Sequence, residues 1–294
     1  MHRRIKNPLR YPGGKATLAD YVAIVLEENL LAGCTIHEPF GGSAAVSLDL
    51  LSRGFVSRAV IIERDPLIFS FWAMVFSDPA RLCSDIETVP VTMRTWDILD
   101  SLRSVEYPTD ANLSQLALAG LFFNRTNYSG IVGAGPIGGR AQTSAYALDC
   151  RFNKATLISA INEIAKLTSR VSVVFDDAQL YLRRHQKMLQ GGSHFIYLDP
   201  PYYEHGRKYY RYHYESDHHA ALANYIMRRS FPWLLSYDDH PAIRELYRRI
   251  NKYHIYMDYS ARTSRRVKEL LISNLTIPPQ LAISADQAPL RDGS

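Results

Sequence analysis

Residues 35–66 read TIHEPFGGSAAVSLDLLSRGFVSRAVIIERDP. A short apolar strand at 35–40 runs into a glycine turn, then an amphipathic helix to about Arg53, then a second apolar strand at 59–63 that ends on an acid. Parallel neighbours cannot be joined by a tight turn, and a helix packed back over the sheet is the usual crossover. Strand, glycine turn, helix, strand and acid together predict the opening of a doubly wound α/β sheet. Another helix is predicted from Pro66, because the first helical turn does not use the N–H that proline lacks.

The alternation returns after residue 150. It predicts a helix at 154–168, strand VSVVF at 171–175, a helix at 178–190, strand FIYL at 195–198, a helix at about 216–229, strand PWLLSY at 232–237 and a helix from Pro241. YHIYMDYS and ELLISN are predicted to close the sheet as an antiparallel edge hairpin. From about 78 to 150 the pattern lapses: LSQLALAGLFFNRTNYSG reads as helix, and GIVGAGPIGGRAQ is glycine-rich with no strand period. The expected organisation is one α/β domain, residues 1–65 and 151–276, with a mostly helical insert at 66–150 and a flexible tail at 277–294.

At 294 residues and 47% hydrophobic, the chain can bury the core that such a domain needs. The basic segment MHRRIKNPLRYPGG has no apolar stretch behind it, and no run approaches the roughly 18 apolar residues of a membrane span, so neither a secretory signal nor a membrane partner is expected. Cys34, Cys83 and Cys150 are widely spaced and unpaired by motif, which fits reduced thiols in a cytoplasmic protein. The net charge of +5 is concentrated at 3–15, 207–211 and 262–268, and two of these clusters alternate with tyrosine. Basic residues interleaved with aromatics suit phosphates and stacked bases, although the same pattern also describes solvated faces.

The turn EPFGGSAAV lets a ligand approach backbone at a helix N-terminus, and Glu63 is placed to accept ribose hydroxyls, so a nucleoside site is expected there. A nicotinamide enzyme is one rival, but Gly41, Gly42 and Ala44 do not form the G-x-G-x-x-G spacing. YPGGK at 11–15 lacks the earlier glycine of a phosphate loop and carries Ala16 where Ser or Thr would hold magnesium. No HExxH pair and no GxSxG elbow occur, so neither a metal site nor hydrolase chemistry is expected.

The sharpest feature is FIYLDPPYYEHGRKYYRYHY at 195–214. An aspartate at a strand's C-terminal end lies where open α/β sheets bind ligands. An exocyclic aromatic amine is a poor nucleophile with two N–H donors. The Asp199 carboxylate and the Pro200 carbonyl can accept both and aim the nitrogen lone pair at an electrophile. Pro200 and Pro201 fix φ near −65°, so that acceptor is set in advance, and Tyr202 offers a face for a flat base. The plain alternative is a strand that ends in a Pro-Pro turn with a capping aspartate.

LRYPGGK, EPFGGSAAV, FFNRTNYSGIVGAGPIGG, DCRFNK, FIYLDPPYY, DHHAALA, LSYDDHPAIRELY and ELLISN together resemble the successive blocks of the Dam-type (class alpha) DNA adenine-N6 methyltransferases, in their phage- and restriction-associated branch. The likeness spans about residues 7–275. It implies a Rossmann-like methyltransferase fold with a mixed seven-stranded sheet, S-adenosylmethionine as methyl donor, and double-stranded DNA as partner, bound in the cytoplasm at the nucleoid. A cognate restriction endonuclease is a further partner of that branch. By resemblance, Tyr11, Lys15, Glu38, Phe40, Gly42, Glu63 and Asp177 line the cofactor. Glu63 stands where relatives usually carry aspartate. Asp199, Pro200, Pro201 and Tyr202 hold a flipped adenine, and Asn127, Tyr128, Ser129 and Ile131 enter the DNA. Arg207, Lys208, Arg211, Arg262, Arg265 and Arg266 are phosphate candidates chosen from charge alone. GATC-specific relatives carry an arginine shortly after the NYSGI block, near which Gly133 stands here, and that puts a GATC site in doubt. RNA adenine methylation and a catalytically silent nucleic-acid-binding relative are the other readings.

Overall fold

The computed structural model describes residues 5–10, 18–204, 211–250, 252–259 and 265–278. β1 (Thr35–Pro39) lies inside the sheet, parallel to β2 (Arg58–Glu63) on one side and to β4 (His194–Leu198) on the other. Thr35 stands level with Arg58 across one ladder and with His194 across the other. β3 (Val171–Phe175) extends the sheet beyond β2, and β5 (Trp233–Asp238) beyond β4, both parallel. β7 (Arg265–Ser273) then inserts antiparallel between β5 and β6 (Lys252–Tyr259), giving seven strands in the order β3-β2-β1-β4-β5-β7-β6.

Strands buried on both faces read as continuous apolar runs, and Phe195 to Leu198 are wholly buried for that reason. Helices α1 (Leu18–Glu28), α2 (Ala45–Arg53) and α3 (Pro66–Ser77) pack into one core with β1 and β2. The Asp65 side chain accepts from the Leu67 N–H, and Pro66 opens α3 as its first residue. α4 (Pro79–Thr88), α5 (Met93–Asp100) and α6 (Leu113–Thr126) follow, and their apolar residues Leu82, Trp96 and Phe122 continue the same core. A second core on the other face gathers α8 (Ala178–Arg184), α9 (Gln186–Gln190), α10 (Ser216–Ile226) and α11 (Pro241–Leu246). α7 (Lys154–Ala165) leads from the glycine-rich stretch back to β3.

Four expectations change in detail. The helix expected at 178–190 is two helices broken at His185, whose Nδ1 lies 2.9 Å from the Tyr181 carbonyl. α6 stops at Thr126, because Ser129 and Gly130 take φ of 56° and 77°, which a helix cannot hold. The last two strands do pair with each other, but β7 sits inside the sheet and only β6 is the edge. Helices α7 and α10 end three residues earlier than expected, at Ala165 and Ile226. Residues 279–294 of the predicted tail lie outside the described residues. No helix among the described residues is long and apolar enough to cross a membrane.

Candidate active site

The sheet's connections reverse between β1 and β4: β1 is followed outward by β2, and β4 by β5. The crevice beyond the C-terminal ends of these strands is where such sheets bind ligands. A cleft of about 1100 Å³, open solvent at its mouth included, occupies that position. Glu38 from β1, Glu63 from β2, Asp177 after β3 and Asp199 after β4 all line it.

The β1–α2 turn is held in an uncommon conformation. Phe40, Gly42 and Ala44 take φ of 72°, 44° and 48°, and an aromatic residue at positive φ persists only where surroundings enforce it. The enforcement is visible. Trp72 Nε1 donates to the Gly42 carbonyl at 2.8 Å, Asn7 Nδ2 to the Ser43 carbonyl at 2.6 Å, and the Gly41 N–H to the Ile62 carbonyl at 2.8 Å. Gly41 lies so close to β2 that a Cβ there would stand 2.6 Å from Ile61 Cγ2. Glu63 completes the turn by accepting the N–H groups of Gly42, Arg64 and Asp65, each at 2.7 Å. Glu38 reaches α2 instead, where Oε2 accepts the Ser47 N–H at 3.0 Å and the Ser47 hydroxyl.

Asp199 is fixed by a residue that sequence reasoning did not single out. Ser236 on β5 donates its hydroxyl to Asp199 Oδ1 at 2.8 Å, and the buried Tyr197 hydroxyl lies 3.0 Å from the same Ser236 Oγ. An ionised carboxylate only accepts, so Ser236 donates to Asp199 and Tyr197 donates to Ser236. Pro200 and Pro201 are buried, and Pro201 lines the cleft. The Tyr202 hydroxyl donates to Glu269 of β7 at 2.8 Å, so its ring is tethered at one end. Asp238, at the end of β5, accepts the backbone N–H of Tyr203 at 3.0 Å and steers the chain as it leaves the DPPY segment. Ser236 and Asp238 stand two apart in LSYDD, the β-strand spacing that puts both on one face of β5.

Five expected cofactor residues, Glu38, Phe40, Gly42, Glu63 and Asp177, line this one cleft. Tyr11 and Lys15 lie outside the described residues. Asp177 caps α8, its Oδ1 accepting from the Gln179 and Leu180 N–H groups, while Arg64 holds its Oδ2 at 3.3 Å. The expected nucleic-acid residues divide. Tyr128 is 56% exposed and Ser129 half-buried, whereas Asn127 is wholly buried, accepting from Trp96 Nε1 at 2.7 Å. Ile131 is buried in the cleft wall. Arg211 is not on an open face: it forks onto Asp65 at 3.1 and 3.3 Å, donates to the Arg103 carbonyl, and lines the cleft. Arg207, Lys208 and Arg262 lie outside the described residues, as do the side chains of Arg265 and Arg266.

Burial pushes the Glu38 carboxyl up to about 8, against its Ser47 hydrogen bonds and with help from nearby Asp199. Burial, aided by Asp65, likewise raises Glu63 to about 7, against its backbone hydrogen bonds. Both acids are short of positive charge, and a cationic ligand is what the set lacks. No group of three or more metal-ligating side chains is arranged to hold an ion among the described residues.

No curated protein matches this chain. One family profile does, over residues 11–261, and it is described as D12 class N6 adenine-specific DNA methyltransferase.

Proposed function

The chain belongs to the D12 class N6 adenine-specific DNA methyltransferase family, and on that footing we propose that it methylates the exocyclic N6 amine of an adenine flipped out of duplex DNA, with S-adenosylmethionine as donor. The observation that carries this reading is that Asp199, oriented through Ser236, opens on the same cleft as the buried Glu38. The donor supplies a methyl group bonded to a cationic sulfur. Glu38 and the strained Phe40–Ala44 turn bind its charged end, and Phe40 packs edge-on against Tyr214 at 5.3 Å beside it. Asp199 and the Pro200 carbonyl accept the two N–H groups of the adenine amine and hold its lone pair in line for displacement, so positioning is the main catalytic contribution. The amine nitrogen gains a bond to the methyl carbon as that carbon's bond to sulfur breaks, leaving the electron pair on a neutral sulfur, and the nitrogen then loses one proton to water, with Asp199 an orienting acceptor rather than a strong base.

Base extrusion costs a few kcal/mol. In this reading the segment 66–150 supplies target recognition, and Tyr128, exposed at the rim, fills the space that the base vacates. The test offers labelled donor with duplex DNA and, separately, RNA of matched sequence. Label in N6-methyladenine of the DNA is expected; label in RNA alone, or in neither, overturns the proposal. Asp199→Ala is expected to keep donor affinity in calorimetry and lose transfer by a factor of 10³ or so, in line with removal of a preorganised polar group.

A further inference from the structure

Three arginines, Arg10, Arg125 and Arg151, come close enough to repel one another next to Gly130 of the cleft lining, and of these only Arg10 belongs to a basic cluster noted in the sequence. Arg10 is clamped by Asn124 of α6: the Arg10 N–H donates to Asn124 Oδ1 and Asn124 Nδ2 donates to the Arg10 carbonyl, both at 2.7 Å. The next residue of α6, Arg125, donates from Nε to the Pro8 carbonyl at 2.6 Å and from Nη2 to the Asn7 carbonyl at 3.4 Å. Arg151 arrives on the turn before α7, which Phe152 anchors against Phe122 of α6 with ring centres 5.6 Å apart.

These guanidinium groups have no carboxylate partner among the described residues, and Arg10 Nη1 is closed off from solvent without a hydrogen bond. Burial lowers both Arg10 and Arg125, and repulsion within the trio lowers them further, Arg125 to about 10. Partly desolvated like charges without a counter-ion are costly to keep. Guanidinium forks match phosphate oxygens in geometry as well as in charge. The position fits such a ligand. Asn124 Nδ2 also donates to the Gly130 carbonyl at 2.9 Å, and Gly130 packs so tightly on Arg10 that a Cβ there would lie 2.7 Å from the Arg10 carbonyl oxygen. Gly130 lines the cleft, and exposed Tyr128 is two residues away.

We propose that Arg10, Arg125 and Arg151 form an anion site at the cleft mouth, and that its occupant is a backbone phosphate of the nucleic acid whose base enters the cleft. The proposal rests on the function inferred above. In it, phosphate contact at this site fixes the register of the strand against Tyr128 and carries no sequence preference of its own.

The test measures binding of the full chain to duplex DNA by fluorescence anisotropy between about 50 and 200 mM salt, with a matched series of sequences. The double variant Arg10→Gln/Arg151→Gln is expected to reduce the slope of log affinity against log salt by about 0.9, the value of one phosphate. The loss should be uniform across sequences, and donor affinity should not change. Arg151→Lys, which keeps the charge, should restore most of the slope when combined with native Arg10. Inorganic phosphate at millimolar concentration should compete with wild-type binding more than with the double variant. An unchanged slope in a folded double variant overturns the proposal, as does a loss confined to one sequence, which would mean base readout. If the double variant does not fold, Arg151→Gln alone decides, since Arg151 makes none of the hydrogen bonds that hold residues 7–10. A wild type that binds and methylates DNA while these variants match it refutes the anion site alone. A wild type that does neither refutes the functional reading.

Discussion

Replacing Ser236 by alanine removes one hydroxyl from β5 and leaves every group that lines the cleft in place. Three contacts of Ser236 Oγ disappear, the 2.8 Å donation to Asp199 Oδ1, the 3.0 Å contact with Tyr197 and a 3.5 Å contact with the Leu198 carbonyl. The first is to a carboxylate, and bonds of that kind contribute about 1.5–3 kcal/mol. If Asp199 must hold one orientation for the amine to be aligned, that loss appears in the transition state and lowers kcat about 10- to 150-fold. The second takes one partner from the buried Tyr197 hydroxyl, and the loss of one such bond costs about 0.5–1.5 kcal/mol of stability. For a domain of this size each kcal/mol lowers Tm by roughly 2–4 °C. Steady-state transfer of labelled methyl, calorimetric donor binding and a thermal melt separate these effects. The expected pattern is a large fall in kcat, an unchanged donor Kd and a modest fall in Tm. Tyr197→Phe should show a smaller kcat effect, because Ser236 still reaches Asp199. A Ser236→Ala enzyme with a lowered Tm but a kcat within twofold of wild type would refute the reasoning, leaving Ser236 a core residue only.

Three further outcomes follow from the same geometry. Glu38 and Glu63 are raised in the folded protein to about 8 and about 7, so the native state holds protons that the unfolded chain releases above its ordinary carboxyl pKa near 4.5. Their contribution to stability is therefore complete below about 4.5 and is lost as pH rises toward 8, so the Tm of donor-free protein should fall across that window, and Glu38→Gln should flatten the part due to Glu38. A cationic donor favours ionised Glu38, so donor affinity should rise over the same window in wild type and rise less in Glu38→Gln, where Glu63 alone of the pair titrates, as calorimetry at several pH values will report. Gly41→Ala places a Cβ 2.6 Å from Ile61 Cγ2 and 3.1 Å from the Ile62 carbonyl. Its expected cost is about 1–3 kcal/mol in denaturant unfolding, with a weaker donor Kd as the turn shifts.

The order of elements was legible because it rests on local patterns. Apolar runs such as FIYL and VSVVF have one way to be buried on both faces, and Asp65-Pro66 announces a helix start through its own side chain. The insertion of β7 between β5 and β6 was not legible, since pairing partners are chosen by tertiary packing that a hairpin pattern leaves open. Within the site, residue types picked out five expected cofactor residues that meet in one cleft, yet not what each side chain bonds. Asn127 carried the look of a contact residue, but its amide is spent on Trp96 and on the Ile131 and Val132 carbonyls. Ser236 shows the converse. A serine in an apolar strand looks like a tolerated small residue, and only its distance to Asp199 gives it a function. The one available signal was its spacing of two from Asp238 at the strand end.

The charge distribution, finally, separates the two substrates of the proposed reaction. The chain as a whole carries +5, yet the cleft is lined by six carboxyl groups and two guanidinium groups. Arg64 and Arg211 are paired to Asp177 and Asp65, and Arg184 pairs with Asp176 from outside the lining, whereas Glu38 and Glu63 are held by hydrogen bonds from Ser47 and from the Gly42, Arg64 and Asp65 N–H groups. Glu38 and Glu63 hold protons there in the absence of a ligand; a cationic donor favours their ionised forms, whereas a phosphate chain gains nothing from them. The Arg10–Arg125–Arg151 trio at the mouth has the opposite preference. A nucleic acid strand is then drawn to the rim and kept out of the interior, and an uncharged base is the part of it that can enter. On this view reversing the rim and reversing the interior have different signatures. Loss of rim charge should act on DNA affinity and its salt dependence, whereas neutralising Glu38 should act on the donor and leave the salt slope for DNA unchanged. A Glu38→Gln enzyme whose DNA salt slope moved as much as that of the rim variants would show that the two fields are not separate.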